Sequence, residues 1–323
     1  MPPQHAAPHT RNTLAWTSAG WGPLSAAGLA LDDIGLLQGL LIVDRLRTLR
    51  SQPLDGPQHV ARFRRNCQAV GIELPADLDL QQRMEQCANL NRHAFAPCDF
   101  SIVTLATPGR TAAPVPQPTV IVHATPIAWE HLAAWYREGQ PLVVAENRNV
   151  PSVCWSPTIK TRARLQYYLA ERQAALAIDR GAAEGHPPSG TVLLDLQNQL
   201  TETSAANLLI VEGDKQLVSP PLDSILNGIS LARTVQLARN AGMTVRFEPI
   251  PLARAQAASE LLLCGSSGCL WAASRLGELP LGGPAGPIFS RLSQLWSEEL
   301  GLDYIRQACS YAAAAHATIA PQD

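Results

Sequence analysis

Residues 201–230 read TETSAANLLIVEGDKQLVSPPLDSILNGIS. Leu208, Leu209, Ile210 and Val211 form a short apolar run bounded by turn residues, the pattern of a buried strand. Glu212-Gly213-Asp214-Lys215 then makes a turn, and Gln216–Ser219 returns as the hairpin partner. Asn227-Gly228-Ile229-Ser230 opens a helix. Leu231, Val235 and Ala238 recur at helical spacing, and Gly242 closes it. The first N–H groups of a helix have no partner within it, which makes its start an anion site. The stretch therefore sets a carboxylate, Glu202, beside a buried strand and follows it with a place for an anion.

The chain has 323 residues, enough for about two domains. It is 46% hydrophobic and 16% charged, a globular composition. A formal net charge of -2 gives no electrostatic case for nucleic acid or an anionic membrane. No apolar run is long enough for a transmembrane helix, and the start, MPPQHAAPHTRN, reads as a loose tail without a signal-peptide core. The seven cysteines are odd in number, widely scattered and without a CxxC pair, which predicts reduced thiols in a cytoplasmic protein and no zinc site. Cys264 and Cys269 read as buried small hydrophobes.

Taken in order, residues 1–14 are the tail, 15–146 a smaller first domain, 147–155 the linker and 156–323 a larger second domain. Gly35–Asp44 leads from a turn into a buried strand. Asp55 and Pro57 start a helix as N-cap and first-turn proline, with Val60, Phe63, Cys67 and Val70 on its apolar face. A second helix spans roughly 77–90. Strands follow at 101–105 and 119–122, separated by a loop with Pro114, Pro116 and Pro118. A helix at 129–136 and a strand at 141–145 complete the first domain. In the second, a helical run from Arg164 precedes a loop at 186–190. Strands at 191–196 and 199–203 follow, then the opening stretch, a strand at 244–247, a short helix at 253–260 and a closing helix at 289–300. The alanine-rich tail begins at Ala312. No Rossmann or Walker loop and no G-x-S-x-G nucleophile elbow occurs.

Glu202…Asn207 ahead of an apolar strand, then Leu226-Asn227-Gly228-Ile229-Ser230 opening a helix, resembles the fold-type IV enzymes that use pyridoxal 5′-phosphate (PLP). These include branched-chain and D-amino-acid aminotransferases and 4-amino-4-deoxychorismate lyase. The resemblance implies an α+β or α/β chain of two domains, a small N-terminal α/β sandwich and a larger C-terminal pseudo-barrel that binds PLP. It also implies a homodimer. The family's Schiff-base lysine stands before a helix, some way upstream of the glutamate. Of the two lysines here, Lys215 falls in the EGDK turn and Lys160 falls at the family's place.

The pair His59 and Arg62 matches the family's H-x-x-R, whose arginine contacts the cofactor phosphate, so Arg62 takes that role. Ser266, in Gly265-Ser266-Ser267, aligns with a hydroxyl that donates to the phosphate, as do the backbone N–H groups of Ile229 and Ser230. Glu202 would stand beside the pyridine nitrogen and favour its protonated form. Lys160, once released, would carry the proton as general acid and base. Leu226 would pack on the ring, and Asn207 would support the loop. The implied activity is amino transfer between an amino acid and a 2-oxo acid, with the aminodeoxychorismate-type lyase or a non-catalytic homologue as alternatives. Two departures stand out. The family's Gly-Asp-Gly strand reads Gly39-Leu40-Leu41 here, with Asp44 at the place of a glutamate. Branched-chain enzymes often have a tyrosine five residues after the lysine, where this chain has Leu165, with Tyr167 and Tyr168 just beyond. Arg162 and Arg164, near the lysine, read as a solvated helix face or as a partner for a substrate carboxylate.

Overall fold

The structure, a computed structural model, describes residues 13–113, 117–179, 187–213 and 215–319. The expected tail up to residue 12, Pro114, Pro116, His186, Asp214 and the last four residues lie outside these. The chain divides into two compact units. One holds the residues up to Ile127 together with Ile159–Arg164, and the other holds Ala128–Thr158 and the chain from Leu165 onward.

The first unit runs β1 (Leu14–Thr17), β2 (Gly20–Pro23), α1 (Ile34–Leu37), β3 (Ile42–Leu49), β4 (Gln52–Pro53), α2 (Gly56–Ala69), α3 (Leu80–Phe95), β5 (Ser101–Thr107) and β6 (Thr119–Thr125). β1 begins inside the expected tail because Asn91 holds it. The Leu14 N–H donates to Asn91 Oδ1 at 2.7 Å, and Asn91 Nδ2 donates to the Leu14 carbonyl at 3.1 Å. The strands form one sheet in the order β2-β1-β6-β5-β3-β4. Alternation along each strand gives the sheet two unlike faces. On one face Leu46, Ile102, Val122 and Ala124 pack against Met84, Cys87 and Phe95 of α3, while Ile42, Ala106 and Val120 pack against Phe63 and Cys67 of α2. Asp55 holds the N-cap position of α2, but its side chain makes no capping bond. Pro57 in the first turn fits the fixed φ the helix start needs. α3 begins later than the sequence suggests because Asp79, not Asp77, caps it, accepting from Gln82 N at 3.0 Å.

Segment 159–164 lies along β3. Thr161 bridges to Ile42, the Val43 N–H donates to the Lys160 carbonyl at 3.0 Å, and the Arg162 N–H donates to the Leu41 carbonyl at 2.9 Å.

The second unit contains α4 (Trp129–Glu138), β7 (Gln140–Arg148), α5 (Leu165–Asp179), β8 (Gly190–Leu194), β9 (Leu200–Thr203), β10 (Asn207–Glu212), β11 (Gln216–Ser219), α6 (Ile229–Asn240), β12 (Thr244–Phe247), α7 (Leu252–Gln256), β13 (Glu260–Gly265), β14 (Cys269–Leu276), β15 (Leu279–Pro280), α8 (Pro287–Leu300) and α9 (Tyr304–Ile319). The sequence places α4 and β7 in the first domain. Here β7 hydrogen-bonds to β14 and β8, so both elements belong to the second unit and the chain divides at 127/128. The alanine-rich stretch from Ala312 continues α9.

The strand order is β12-β11-β10-β13-β14-β7-β8-β9, with β15 on β14. β9 and β10 are separated along that order by β13, β14, β7 and β8, which in a flat sheet is about 24 Å at roughly 4.8 Å per strand. Yet the chain steps from Thr203 to Asn207 across three residues, a reach of at most about 15 Å. The sheet must therefore curl, as a pseudo-barrel does. β10 is the apolar run of the opening stretch and is buried through Val211. α6 ends in a Schellman motif. Gly242 takes φ +77°, its N–H donates to the Arg239 carbonyl, and the Met243 N–H donates to the Ala238 carbonyl. Among the described residues no helix is long and apolar enough to cross a membrane.

Candidate active site

In the second unit the expected residues converge on the link between β9 and β10. The Glu202 carboxylate is buried at 7% exposure. Its Oε2 accepts from Asn207 Nδ2 at 3.1 Å and from the Leu226 N–H at 3.3 Å, and its Oε1 accepts from the Tyr167 hydroxyl at 3.0 Å. All three partners are donors, which suits an acceptor-only carboxylate. Asn207 Nδ2 also donates to the Leu226 carbonyl at 2.9 Å, so one carboxamide ties the glutamate to the turn ahead of α6.

Gly228 is the N-cap of α6, and no side chain caps that helix start. The N–H groups of Ile229 and Ser230 therefore head a helix of twelve residues whose dipole favours an anion. A side chain at Gly228 would overlap Asn207 Oδ1, so only glycine lets the helix start come this close to the strand. Ser266 lies in the turn between β13 and β14. Asn207 pairs with Cys264 across β10 and β13, and a Cβ on Gly265 would lie 2.7 Å from the Ala205 carbonyl. The Ser266 turn thus closes over the same end of the sheet as Asn207.

Tyr167 is the residue sequence reasoning missed. It stands on α5, where its ring packs against Ala145, Ala170 and Leu193 while its hydroxyl reaches Glu202. The available signal was a tyrosine on the first turn of the helix after Lys160. Leu165, at the family's usual tyrosine position, is 69% exposed.

In the first unit, Arg62 does not face solvent on α2 as a neighbour of Arg64 and Arg65 would. It is buried with Asp44 and His59. Arg62 Nε donates to Asp44 Oδ2 and Nη2 to Oδ1, each at 2.8 Å, and His59 Nδ1 lies 2.6 Å from Oδ1. Burial alone would raise the Asp44 carboxyl. The Arg62 charge and the hydrogen bonds from His59 and Arg62 outweigh it and hold the group well below the usual carboxylate range. Lys160 is half-buried, and its carbonyl is fixed by Val43, the residue before Asp44. Segment 159–164 and α2 thus meet the same strand one residue apart. Arg62, Asp44 and Lys160 belong to the first unit, whereas Glu202, Asn207, Leu226, Ile229, Ser230 and Ser266 belong to the second.

Comparison with known proteins agrees with this architecture. A branched-chain aminotransferase from the thermophilic archaeon Thermoproteus uzoniensis, solved with norvaline, superposes with a TM-score of 0.73 at 19% identity, covering 90% of this chain and 95% of that one. A putative 4-amino-4-deoxychorismate lyase from Legionella pneumophila superposes with a TM-score of 0.70 at 17% identity, covering 85% and 97%. The fold-type IV fold expected from the sequence is therefore the one observed. A probable branched-chain-amino-acid aminotransferase of Thermotoga maritima is 27% identical over 141 residues, 43% of this chain. The match spans about half of that relative's length, 47%. The family described as amino-transferase class IV matches residues 41–276, more than half of the 323 residues, and this protein belongs to that family.

Proposed function

We propose that the protein is a PLP-dependent aminotransferase that moves an amino group between an amino acid and a 2-oxo acid, with Lys160 as the amine that holds the cofactor. The observation that carries this reading is the buried Glu202 carboxylate, fixed by donors from Tyr167, Asn207 and Leu226 beside the uncapped start of α6. A carboxylate and a helix N-terminus are what a protonated pyridine nitrogen and a phosphate require, so the residues present fit PLP. When bound, the cofactor supplies an electron-withdrawing ring that acidifies the carbon bearing the amino group.

The chain's own residues do the rest. Glu202 would accept from the ring nitrogen, and Leu226 would pack against the ring. In the second unit the N–H groups of Ile229 and Ser230 and the Ser266 hydroxyl would bind the phosphate; in the first, Arg62, fixed by its pair with Asp44, would offer its charge to the same anion. Asn207 keeps Glu202 and the α6 turn in register. Lys160 Nζ would hold the cofactor and would serve as general acid and base for the proton on the reacting carbon.

The chain's place in the family and the fold of its aminotransferase neighbours support transfer. The likeness to the Legionella lyase supports elimination at the same residues as a second reading. We also propose a homodimer. α5 leaves Leu165, Tyr168, Leu169 and Leu176 exposed, apolar area that a second copy would cover. The seven cysteines are thiols rather than disulfides, which supports a cytoplasmic setting.

The test is an absorbance spectrum with PLP, before and after borohydride, with peptide mapping of the reduced protein. Cofactor mass on Lys160, lost in Lys160→Ala, is expected. A cofactor that is absent or attached to Lys215 overturns the reading. Conversion of the PLP form to the pyridoxamine form by an amino donor, reversed by a 2-oxo acid, separates transferase from lyase.

A further inference from the structure

The turn that carries Ser266 ends on a strained residue. β13 and β14 pair up to Gly265 and Cys269, and the Gly268 N–H donates to the Gly265 carbonyl at 3.2 Å. A short hairpin loop of this kind commonly closes on a residue in the left-handed region, a place that suits glycine. Here that residue is Cys269, with φ +57°. Left-handed backbone is uncommon for a residue that bears a Cβ, and it persists only where the surroundings fix it.

Two tyrosines fix it. Tyr136, on α4, donates its hydroxyl to the Gly268 carbonyl, and Tyr304, at the start of α9, donates its hydroxyl to the Leu270 carbonyl at 2.9 Å. The carbonyls on either side of Cys269 are thus both held, from two different helices. The tyrosine rings meet edge to face with centroids 5.5 Å apart, and both side chains are buried. Against the same turn, Trp271 stacks on Trp135 of α4 and its indole N–H donates to Gln140 Oε1 at 2.7 Å. A Cβ on Gly268 would stand 2.7 Å from Leu132 Cδ2, so the turn has no slack toward α4. Phenylalanine at 136 and 304 would meet the packing. What the hydroxyls add is a hold on the peptide groups around Cys269.

We propose that Tyr136 and Tyr304 are positioning residues for the cofactor phosphate. By holding the carbonyls around Cys269 they keep the left-handed close of the turn, and so fix where the Ser266 hydroxyl stands three residues earlier. The inference rests on the PLP reading and deepens it. With either hydroxyl gone, a buried carbonyl loses its donor and Cys269 is free to relax toward ordinary backbone, which moves the turn. The pyridine ring is assigned to Glu202 and Leu226, which neither tyrosine touches, so the effect falls on the phosphate alone.

The experiment titrates PLP, and pyridoxal, which lacks the phosphate, into the cofactor-free full chain and follows tryptophan fluorescence. It compares wild type, Tyr136→Phe, Tyr304→Phe and Ser266→Ala, and each tyrosine variant combined with Ser266→Ala. The loss of one neutral hydrogen bond predicts that each phenylalanine lowers the preference for PLP over pyridoxal about fivefold, with pyridoxal affinity unchanged. In the Ser266→Ala background the same substitutions should lower it no further, because they act through that hydroxyl. Tyr304→Phe keeps the test open if Tyr136→Phe fails to fold. A merely structural role weakens both ligands alike or neither, and either result overturns the proposal. So does a loss that adds to that of Ser266→Ala. A wild type that binds PLP no tighter than pyridoxal overturns the cofactor reading itself, whereas a wild-type preference that both tyrosine variants retain overturns only the positioning role.

Discussion

Gly228 and Asn207 are in contact so close that a methyl group on the glycine would occupy the place of Asn207 Oδ1. Gly228 has ordinary extended dihedrals, φ -68° and ψ 136°, so the constraint is steric and not conformational. Gly228→Ala must displace the carboxamide and with it the bonds to Glu202 and Leu226. Overpacking of this kind costs about 1–3 kcal/mol. Thermal unfolding should register that loss together with weaker PLP retention. Gly22→Ala is the control, since nothing lies within 4 Å of its Cβ position. Equal melting temperatures for the two variants would remove the steric argument.

Asp44 and Arg62 give a pH prediction. The folded Asp44 carboxyl titrates below its ordinary value of 3.8. Its contribution to stability is therefore complete above about pH 4 and is lost as the pH falls through the range beneath. Asp44→Asn leaves the Arg62 guanidinium buried without its counter-charge and should cost about 3–5 kcal/mol at neutral pH. The gap between wild type and variant should narrow on acidification below about pH 4, which denaturant titrations at several pH values measure. A constant gap would mean that the pairing is not what holds α2 to β3.

Much of this was legible in the sequence because local chemistry carried it. The β10 turn and return, the glycine stop of α6 and the β-branched runs of β5 and β6 each depend on residues within a few positions of one another. The misplacements have non-local causes. β7 reads as the end of the first domain because nothing near it marks its pairing with β14, more than a hundred residues on. Two aspartates precede α3, and only the geometry selects Asp79 as the cap. The partners of Glu202 show the same division. Asn207 lies five residues away and was marked by the family resemblance, whereas Tyr167, thirty-five residues upstream, was not.

Tyr167 and Glu202 separate support from chemistry. Tyr167→Phe keeps the ring packed on Ala145, Ala170 and Leu193 and removes one donor to the carboxylate, while the bonds from Asn207 and Leu226 remain. A single hydrogen bond to a charged group is worth about 1.5–3 kcal/mol. PLP affinity should weaken about tenfold or more, with kcat reduced less than KM for cofactor is raised. Glu202→Gln takes away the charge itself and should lower kcat by about 10²-fold, the scale of losing a preorganised electrostatic group. Titrations of cofactor binding and saturating turnover read the two effects apart. The reverse ranking would place Tyr167, and not Glu202, at the chemistry.

The cysteines test the packing of both units at once. Burial pushes the thiols of Cys67, Cys87 and Cys264 up to about 12. Cys154 is exposed, and Cys98 and Cys309 are half-buried. Only thiolate reacts with iodoacetamide, so at about pH 8 a group titrating near 12 offers about one molecule in 10⁴. Access compounds the effect, because the reagent must also reach the Cys67 sulfur in the cluster with Phe63, the Cys87 sulfur in the cluster with Phe95, and the buried Cys264. Labelling followed by peptide mass analysis should therefore modify Cys154 first, and Cys98 and Cys309 more slowly. Cys67, Cys87 and Cys264 should react only when denaturant opens their unit. The denaturant dependence also reports on each unit separately: Cys67 and Cys87 belong to the first and Cys264 to the second. Early labelling of Cys264 in the native protein would mean that β13 is open at the end where it pairs with Asn207, and the support assigned to Glu202 would fall with it.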